Sequence, residues 1–254
     1  MSELNRRTAT LLKELRLSSI KEFFKEVTER AEKEELGYGE YLLELLEIEA
    51  SQRNHKRVGR YLHESKLPLE KCVKTFDMKR LPFKTRRVVE VLLEGDFLTR
   101  KENVLAFGNP GSGKTHLLCA IAQELIQKGH RIYFTSCSRF VEELLKAKAT
   151  RGLEKALKKM DKFDAVLIDD IGYVQYSREE MEVLFTFLAQ RYERGSVMLT
   201  SNLAFSKWEQ IFKDPMTTAA VIDRLVHHSV ILELNLESYR MEVAKQQKRE
   251  DCEE

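Results

Sequence analysis

Eight residues constrain this chain more than any others: Gly108-Asn109-Pro110-Gly111-Ser112-Gly113-Lys114-Thr115, set between the apolar run Val104-Leu105-Ala106-Phe107 and an amphipathic stretch that begins at Lys114. A strand that runs into such a glycine-rich turn and straight on into a helix reads as a phosphate-binding loop. Glycines at 108, 111 and 113 let backbone N–H groups point inward around an anion, while Lys114 and the start of the helix add positive charge. Thr115 then offers a hydroxyl to Mg²⁺. Asn109, Pro110, Ser112 and His116 complete the candidate nucleotide-binding stretch. The full pattern in a strand, loop and helix context is far more specific than a lone Gly-rich loop.

The 254 residues, 43% of them hydrophobic, suffice for a sizeable core in one or two domains. Some hundred residues precede the loop, more than its feeding strand needs, so an additional N-terminal module is expected. The 43 basic and 41 acidic residues leave a net charge of +2, too little to argue for nucleic acid except through its distribution. Cys72, Cys119, Cys137 and Cys252 lack metal or CxxC spacing and read as reduced intracellular thiols. The start, Met-Ser-Glu-Leu-Asn-Arg-Arg, leads into no apolar signal core, and no later run is long enough to span a bilayer. A cytoplasmic, soluble protein with no membrane partner is the expectation.

Residues 1–65 read as a small all-α domain. Leu11, Leu12 and Leu15 are spaced for one helix face, and Ile20, Phe23, Phe24 and Val27 repeat that spacing behind Ser19-x-x-Glu22, a capping-box pattern. After Gly37-Tyr38-Gly39 a further helix carries Tyr41, Leu42, Leu45, Leu46 and Ile48, then turns basic at Arg53, His55, Lys56, Arg57 and Arg60. This is either a bundle with one solvated basic face or a module that binds DNA or a partner. Residues 66–102, punctuated by Pro68 and Pro82, read as a linker and entry to the next domain; Lys79, Arg80, Lys84, Arg86 and Arg87 there suit phosphate or an ordinary solvated helix face.

From 103 to the end, strands and helices alternate in an α/β pattern with a mainly parallel sheet. The expected strands are 103–107, 131–136, 163–169, 196–201 and 229–234. One helix from 114 buries Leu117, Leu118, Ile121 and Leu125 and stops at Gly129, and another buries Met181, Leu184, Phe185 and Leu188. Nucleotide-bound Mg²⁺ needs an anchoring carboxylate at the end of a nearby strand, and Ala165-Val166-Leu167-Ile168-Asp169-Asp170 supplies it. Asp169 is the candidate metal acid, and Asp170 the candidate for orienting or deprotonating the attacking water. Asn202, closing Thr200-Ser201-Asn202, is placed to sense a γ-phosphate, though an Asn at a strand end also reads as a plain turn residue.

Together these features resemble the AAA+ ATPases, and more closely the IstB-like helper ATPases of bacterial insertion sequences and their relatives, the DnaC-type helicase loaders. The resemblance covers 70–250 and extends more loosely into the N-terminal helices. It rests on Gly-Asn-Pro-Gly-Ser-Gly-Lys-Thr-His-Leu, Val-Leu-Ile-Asp-Asp-Ile-Gly-Tyr, Arg-Tyr-Glu-Arg-Gly-Ser, Thr-Ser-Asn-Leu, Asp-Arg-Leu-Val-His-His-Ser and Glu-Ser-Tyr-Arg. The Arg-Tyr-Glu-Arg-Gly-Ser and His-His-Ser elements favour IstB over the loaders. It implies an AAA+ P-loop three-layer αβα domain with a five-stranded sheet, in which Lys114 and Thr115 are Walker A residues, Asp169 the Walker B acid, Asn202 sensor 1 and Arg224 an arginine finger inserted by a neighbouring subunit. On sequence alone, Arg224 beside Asp223 equally reads as a surface helix pair. Arg191 and Arg194 are further interface candidates.

This chain departs from the pattern in two ways. Many AAA+ ATPases carry Glu where Asp170 stands here, and the shorter side chain implies slow hydrolysis. The chain ends about twenty residues after its last expected strand, leaving no room for a C-terminal helical lid, so Arg240 is at most a sensor 2 substitute. The stretch 138–162 is too long for one crossover helix, and an inserted basic helix is expected within it. In the initiator and loader branch such a helix lines a DNA path. Lys146, Lys148, Arg151, Lys155, Lys158 and Lys159 here, with Arg53, Lys56 and Arg57 in the N-terminal helices, are the candidate contacts to duplex DNA, made to phosphates and largely independent of base sequence. A solvated amphipathic helix is the competing account. His227 and His228, being adjacent, share no helix face and read as packing or hydrogen-bonding residues rather than metal ligands.

The expectation is therefore an ATP- and Mg²⁺-dependent homo-oligomer that grips DNA and helps a transposase. Three rivals remain: a replicative helicase loader, a P-loop small-molecule kinase or GTPase switch, for which no Asn-Lys-x-Asp guanine motif appears, and a DNA-binding protein that keeps ATP as a structural ligand.

Overall fold

The computed structural model describes residues 3–172, 177–212, 215–239 and 241. Tyr173, Arg240 and Cys252 lie outside them. The chain divides into two units, Met1–Arg60 and Tyr61–Glu254.

In the first unit, α1 (Glu3–Glu14), α2 (Ser18–Lys33) and the portion of α3 (Tyr38–Ser65) up to Arg60 gather around Ile20, Val27 and Leu45. Leu12, Leu17, Phe23, Phe24, Tyr41 and Ile48 pack against these three. The leucine stripe is narrower than its spacing suggested: Leu11, Leu15, Leu42 and Leu46 are exposed, because a three-helix unit offers each helix only a limited partner surface. The capping box at Ser19 does not form. Leu17 takes the N-cap position without a side-chain bond, and the N–H groups of Ser19 and Ile20 instead donate to Glu49 Oε2 at 2.8 and 3.0 Å. A buried carboxylate brought in by α3 thus satisfies the orphan donors of α2.

The second unit is built on five parallel strands, β1 (Asn103–Gly108), β2 (Ile132–Ser136), β3 (Ala165–Ile171), β4 (Ser196–Ser201) and β5 (Ser229–Leu234), in the order β2-β3-β4-β1-β5. Val104, Leu105 and Ala106 are wholly buried, the mark of a strand covered on both faces. Side chains alternate across the sheet. Leu105, Phe107, Val166, Ile168, Val197 and Leu199 join one core with α7 (Cys137–Ala149), α8 (Leu153–Met160), α9 (Arg178–Arg191) and α11 (Pro215–Val226). On the other side α6 (Lys114–Gln127) covers β1, β4 and β2 and is itself overlaid by α4 (Phe83–Glu94). Short helices α5 (Asp96–Thr99) and α10 (Glu209–Phe212) complete the α-helices among the described residues. This is a three-layer αβα domain with the glycine-rich loop at the end of β1 and, among the described residues, a fully parallel sheet.

Residues 138–162 hold the rest of α7 and all of α8. β3 starts two residues later than expected and runs on through both acids to Ile171. Asp164 is spent on the turn before it, its N–H donating to the Arg131 carbonyl while its Oδ2 accepts from Arg131 N at 2.8 Å. Residues 66–80 also sit on the core: Lys66 Nζ donates to the Tyr133 hydroxyl at 2.9 Å, and Gln123 of α6 donates to the carbonyls of Pro68 and Lys71 at 3.1 and 3.0 Å.

Candidate nucleotide site

The sheet order places β4 between β1 and β3, so the phosphate loop, the acid pair and Asn202 all emerge at neighbouring carboxyl ends, where α/β sheets bind ligands. Gly108 and Gly111 have φ of 151° and 81°. A Cβ at Gly108 would run into the Leu234 carbonyl, and one at Gly111 into the Ser238 hydroxyl, so the loop is pressed between its own turn and the segment that follows β5. Lys114, 5% exposed, donates its Nζ to the carbonyls of Gly108 and Asn109 at 2.8 and 2.9 Å. The loop thereby holds a cation over the N-terminus of α6. Ser112 Oγ is buried in the loop with no hydrogen-bond partner among the described residues.

Opposite the loop, Asp169 Oδ1 accepts from Thr115 Oγ1 at 2.7 Å and from Thr200 Oγ1 at 2.6 Å. These are hard oxygen donors on adjoining elements, a set that suits Mg²⁺. Asp170 has φ of 61°, a left-handed conformation uncommon outside glycine but better tolerated by Asp and Asn than by most residues. Its Oδ1 faces Asn202 Nδ2 at 3.4 Å. Lys114, Thr115, His116, Asp170 and Asn202 line one cavity of about 260 Å³ together with Pro110, Gly111 and Gly113.

The far side of that cavity was not legible locally. Phe76, Asp77, Arg80 and Tyr239 line it, contributed by segments about 160 residues apart. Arg80 donates to the Glu237 carbonyl at 3.0 Å and lies 5.1 Å from the Tyr239 ring centre, while Tyr239 N–H donates to the Gly111 carbonyl at 3.1 Å. His116 is held by Thr75 Oγ1 at 3.0 Å, the Cys72 carbonyl at 3.2 Å and the edge of Phe76. Arg80 stood in a basic cluster and Tyr239 in a motif, but nothing in the sequence joins them. Cys119, on α6 behind the loop, is pushed up to about 12 by burial and by the charge of Asp169, so its thiol stays protonated.

Arg224 does not line this cavity. Its guanidinium lies 4.8 Å from the Phe185 ring centre and donates to the Ala220 carbonyl at 3.0 Å. Arg191 is not an interface residue: it is 2% exposed and donates to the carbonyls of Met160, Phe163, Asp164 and Ser196, tying α8, β3 and β4 together. Burial pulls its guanidinium down to about 10. Arg194 is exposed, and the His227 ring shares a 3.2 Å hydrogen bond with the Tyr192 hydroxyl.

The basic candidates divide by partner. Lys146 and Lys158 pair with Glu142 and Glu154 one turn back, each at 2.6 Å, and Lys148 reaches Glu182 at 2.9 Å. Arg151, Lys155 and Lys159 are exposed with no such pair among the described residues. In the first unit, Arg53 is tied to Glu49 at 2.7 Å and to the Arg16 carbonyl at 2.6 Å, Arg57 donates to Asn54 at 2.8 Å, and Lys56 is exposed.

With loop, acids and Asn202 gathered at the ends of β1, β3 and β4, comparison with known proteins becomes decisive. The family described as IstB-like ATP binding protein matches residues 10–249. The chain belongs to that family. A protein of Sinorhizobium fredii named as an insertion sequence ATP-binding protein is 39% identical over 96% of this chain and 82% of its own length. One of Pseudomonas aeruginosa, named for insertion sequence IS21, is 36% identical over 91% of this chain and 87% of its own. The DnaC helicase loader shares the fold at a TM-score of 0.55 and 17% identity, over 68% of this chain and 98% of its own. Among the described residues no helix is long and apolar enough to cross a membrane.

Proposed function

We propose that this IstB-like chain binds ATP between the loop and the acid pair, hydrolyses it slowly, and uses ATP-driven assembly on duplex DNA to help a transposase. The observation that carries this reading is the convergence of Lys114, Thr115, Asp170 and Asn202 on one cavity, with Asp169 bonded to Thr115 behind it. The loop N–H groups and Lys114 would hold the phosphates. Thr115 and Asp169 would hold Mg²⁺, which when bound offsets charge on the phosphate oxygens. Asp170 would orient the water and take its proton as oxygen attacks the γ-phosphorus and the bond to the β-phosphate breaks, giving ADP and phosphate. Asn202, already against Asp170, would report on the γ-phosphate.

Arg224 lies outside the cavity of its own chain, which supports a role in trans, closing the site of a neighbouring copy. The named insertion-sequence relatives support a transposase rather than a helicase as the partner. Duplex DNA would be gripped through phosphates by Arg151, Lys155 and Lys159, with Lys146, Lys148 and Lys158 released from their acids, and the first unit through Lys56, Arg57 and Arg53. ATP-dependent assembly on DNA tests the scheme. The parent chain should assemble with ATP and Lys114→Ala should not; equal assembly by the two would refute nucleotide gating.

A further inference from the structure

Neighbouring residues on a strand point to opposite faces, yet Asp169 and Asp170 both serve the nucleotide site. The irregularity that permits this lies in the β3–β4 ladder. Ala165 to Ile168 sit opposite Ser196 to Leu199, but Ile171 sits opposite Ser201. Two residues of β3, the two acids, therefore share the one position of Thr200, which is a β-bulge, and such bulges re-aim side chains beside active sites.

Thr200 is wholly buried. Its hydroxyl donates to Asp169 Oδ1 at 2.6 Å and accepts from the Asp170 N–H at 2.8 Å. A hydroxyl has one proton to give, so the directions are fixed: the proton goes to the carboxylate, and a lone pair takes the N–H that the interrupted ladder leaves over. The same contact supports the left-handed backbone of Asp170, whose φ is 61°. Asp169 Oδ1 is shared by two hydroxyls, but only that of Thr115 belongs to the phosphate loop.

We propose that Thr200 is the positioning residue of this site: one buried hydroxyl sets the rotamer of the metal acid Asp169 and the backbone of the water-orienting acid Asp170. The assignment rests on the ATP-site reading. It attributes to β4 a task besides presenting Asn202, and it makes the acid pair a product of the bulge and its hydroxyl together.

Thr200→Val keeps the β-branched shape and removes only the hydroxyl, whereas Thr200→Ser restores it. Three measurements separate positioning from general damage. Amide hydrogen exchange without nucleotide or metal should quicken about tenfold or more at Asp170 in Thr200→Val and stay unchanged across β1, since a buried N–H has lost its acceptor. Affinity for a fluorescent ATP analogue should fall about tenfold with Mg²⁺ and less than about threefold in EDTA, because the loop is untouched. The kcat should drop further than KM rises, and Thr200→Ser should recover all three to within about threefold. Unchanged exchange at Asp170, or equal losses of affinity with Mg²⁺ and in EDTA, would overturn the proposal. If the parent chain binds no nucleotide, or Lys114→Ala binds as well as the parent, the ATP-site reading falls and takes this one with it. A Lys114-dependent site that ignores Thr200→Val removes the Thr200 assignment alone.

Discussion

The acid end of the nucleotide cavity and the basic surface of α7 and α8 hold charge in opposite ways. At the cavity the functional groups are fixed by elements other than their own: Lys114 by loop carbonyls, Asp169 by hydroxyls from α6 and β4, Asp170 by the same β4 hydroxyl and Asn202. On α7 and α8, Lys146 and Lys158 pair with Glu142 and Glu154 of their own helices and Lys148 reaches Glu182, whereas Lys155 and Lys159 are exposed with no such pair among the described residues. The bonds from Lys146 and Lys158 lower the carboxyls of Glu142 and Glu154 from their ordinary value. The first arrangement is preorganised around the buried Lys114 and Thr200; the second is solvated, screened by salt and worth little to stability. Chemistry demands fixed geometry, whereas a sequence-independent grip on phosphates asks only for charge that can be redistributed.

The contrast can be broken most directly at Lys114. Lys114→Ala should lower ATP affinity on the order of a hundredfold or more, read by fluorescent-nucleotide titration, because a preorganised cation is lost from a partly dehydrated site. Asp170→Asn should cut kcat by about 10²-fold or more while leaving KM nearly unchanged, since the amide cannot accept the water's proton. Phosphate release above roughly 10 s⁻¹, the median for enzymes, by the unmodified chain without DNA or transposase would contradict the slow hydrolysis expected of Asp170.

Glu49 sharpens the comparison, because it is a fixed charge within the otherwise solvated N-terminal helices. Burial raises its carboxyl, but hydrogen bonds from Ile20, Arg53 and Ser19 outweigh that and leave it lowered. A lowered folded-state pKa adds stability at pH above the unfolded glutamate value, and that stability is lost as pH falls through the folded value. Glu49→Gln should cost about 1–3 kcal/mol near neutrality, and melts of parent and variant should converge as the pH drops below about 4. A constant gap down to pH 3 would show that the carboxylate charge plays no part.

The smallest effect belongs to the basic surface. Lys155→Ala with Lys159→Ala should reduce the salt slope of DNA binding by about 2, whereas Lys146→Ala with Lys158→Ala should change it by less than about 1, because those two first have to leave their acids. Equal slopes for both double variants would mean that ion pairing on α7 and α8 does not rank the contacts. An unchanged slope in every variant would remove DNA from this face altogether.

The five strands, the loop, the acid pair and Asn202 were legible because each is a local pattern: continuous apolar runs, glycines at fixed offsets, acids at a strand's end. Arg191 was misread as an interface residue because a buried arginine that satisfies four carbonyls is indistinguishable in sequence from an exposed one. The capping box at Ser19 was a correct pattern displaced by Glu49, 30 positions away, which tertiary packing brings to the same N–H groups. The replacement of Glu by Asp at 170, first a departure pointing to slow turnover, has a structural side as well: a left-handed residue beside a bulge favours the shorter acid.

By itself, the sequence determined the alternation of strands and helices, the phosphate loop and the identities of the candidate acids, because periodicity and glycine chemistry act over a few residues at a time. Only the tertiary structure decided which groups meet: Arg80 and Tyr239 at the far wall of the cavity, Thr200 between two acids, Arg191 inside rather than out. Those meetings depend on sheet order and strand register, which are settled by how whole faces pack, and a one-residue bulge in a single ladder is enough to turn a strand's end into a site.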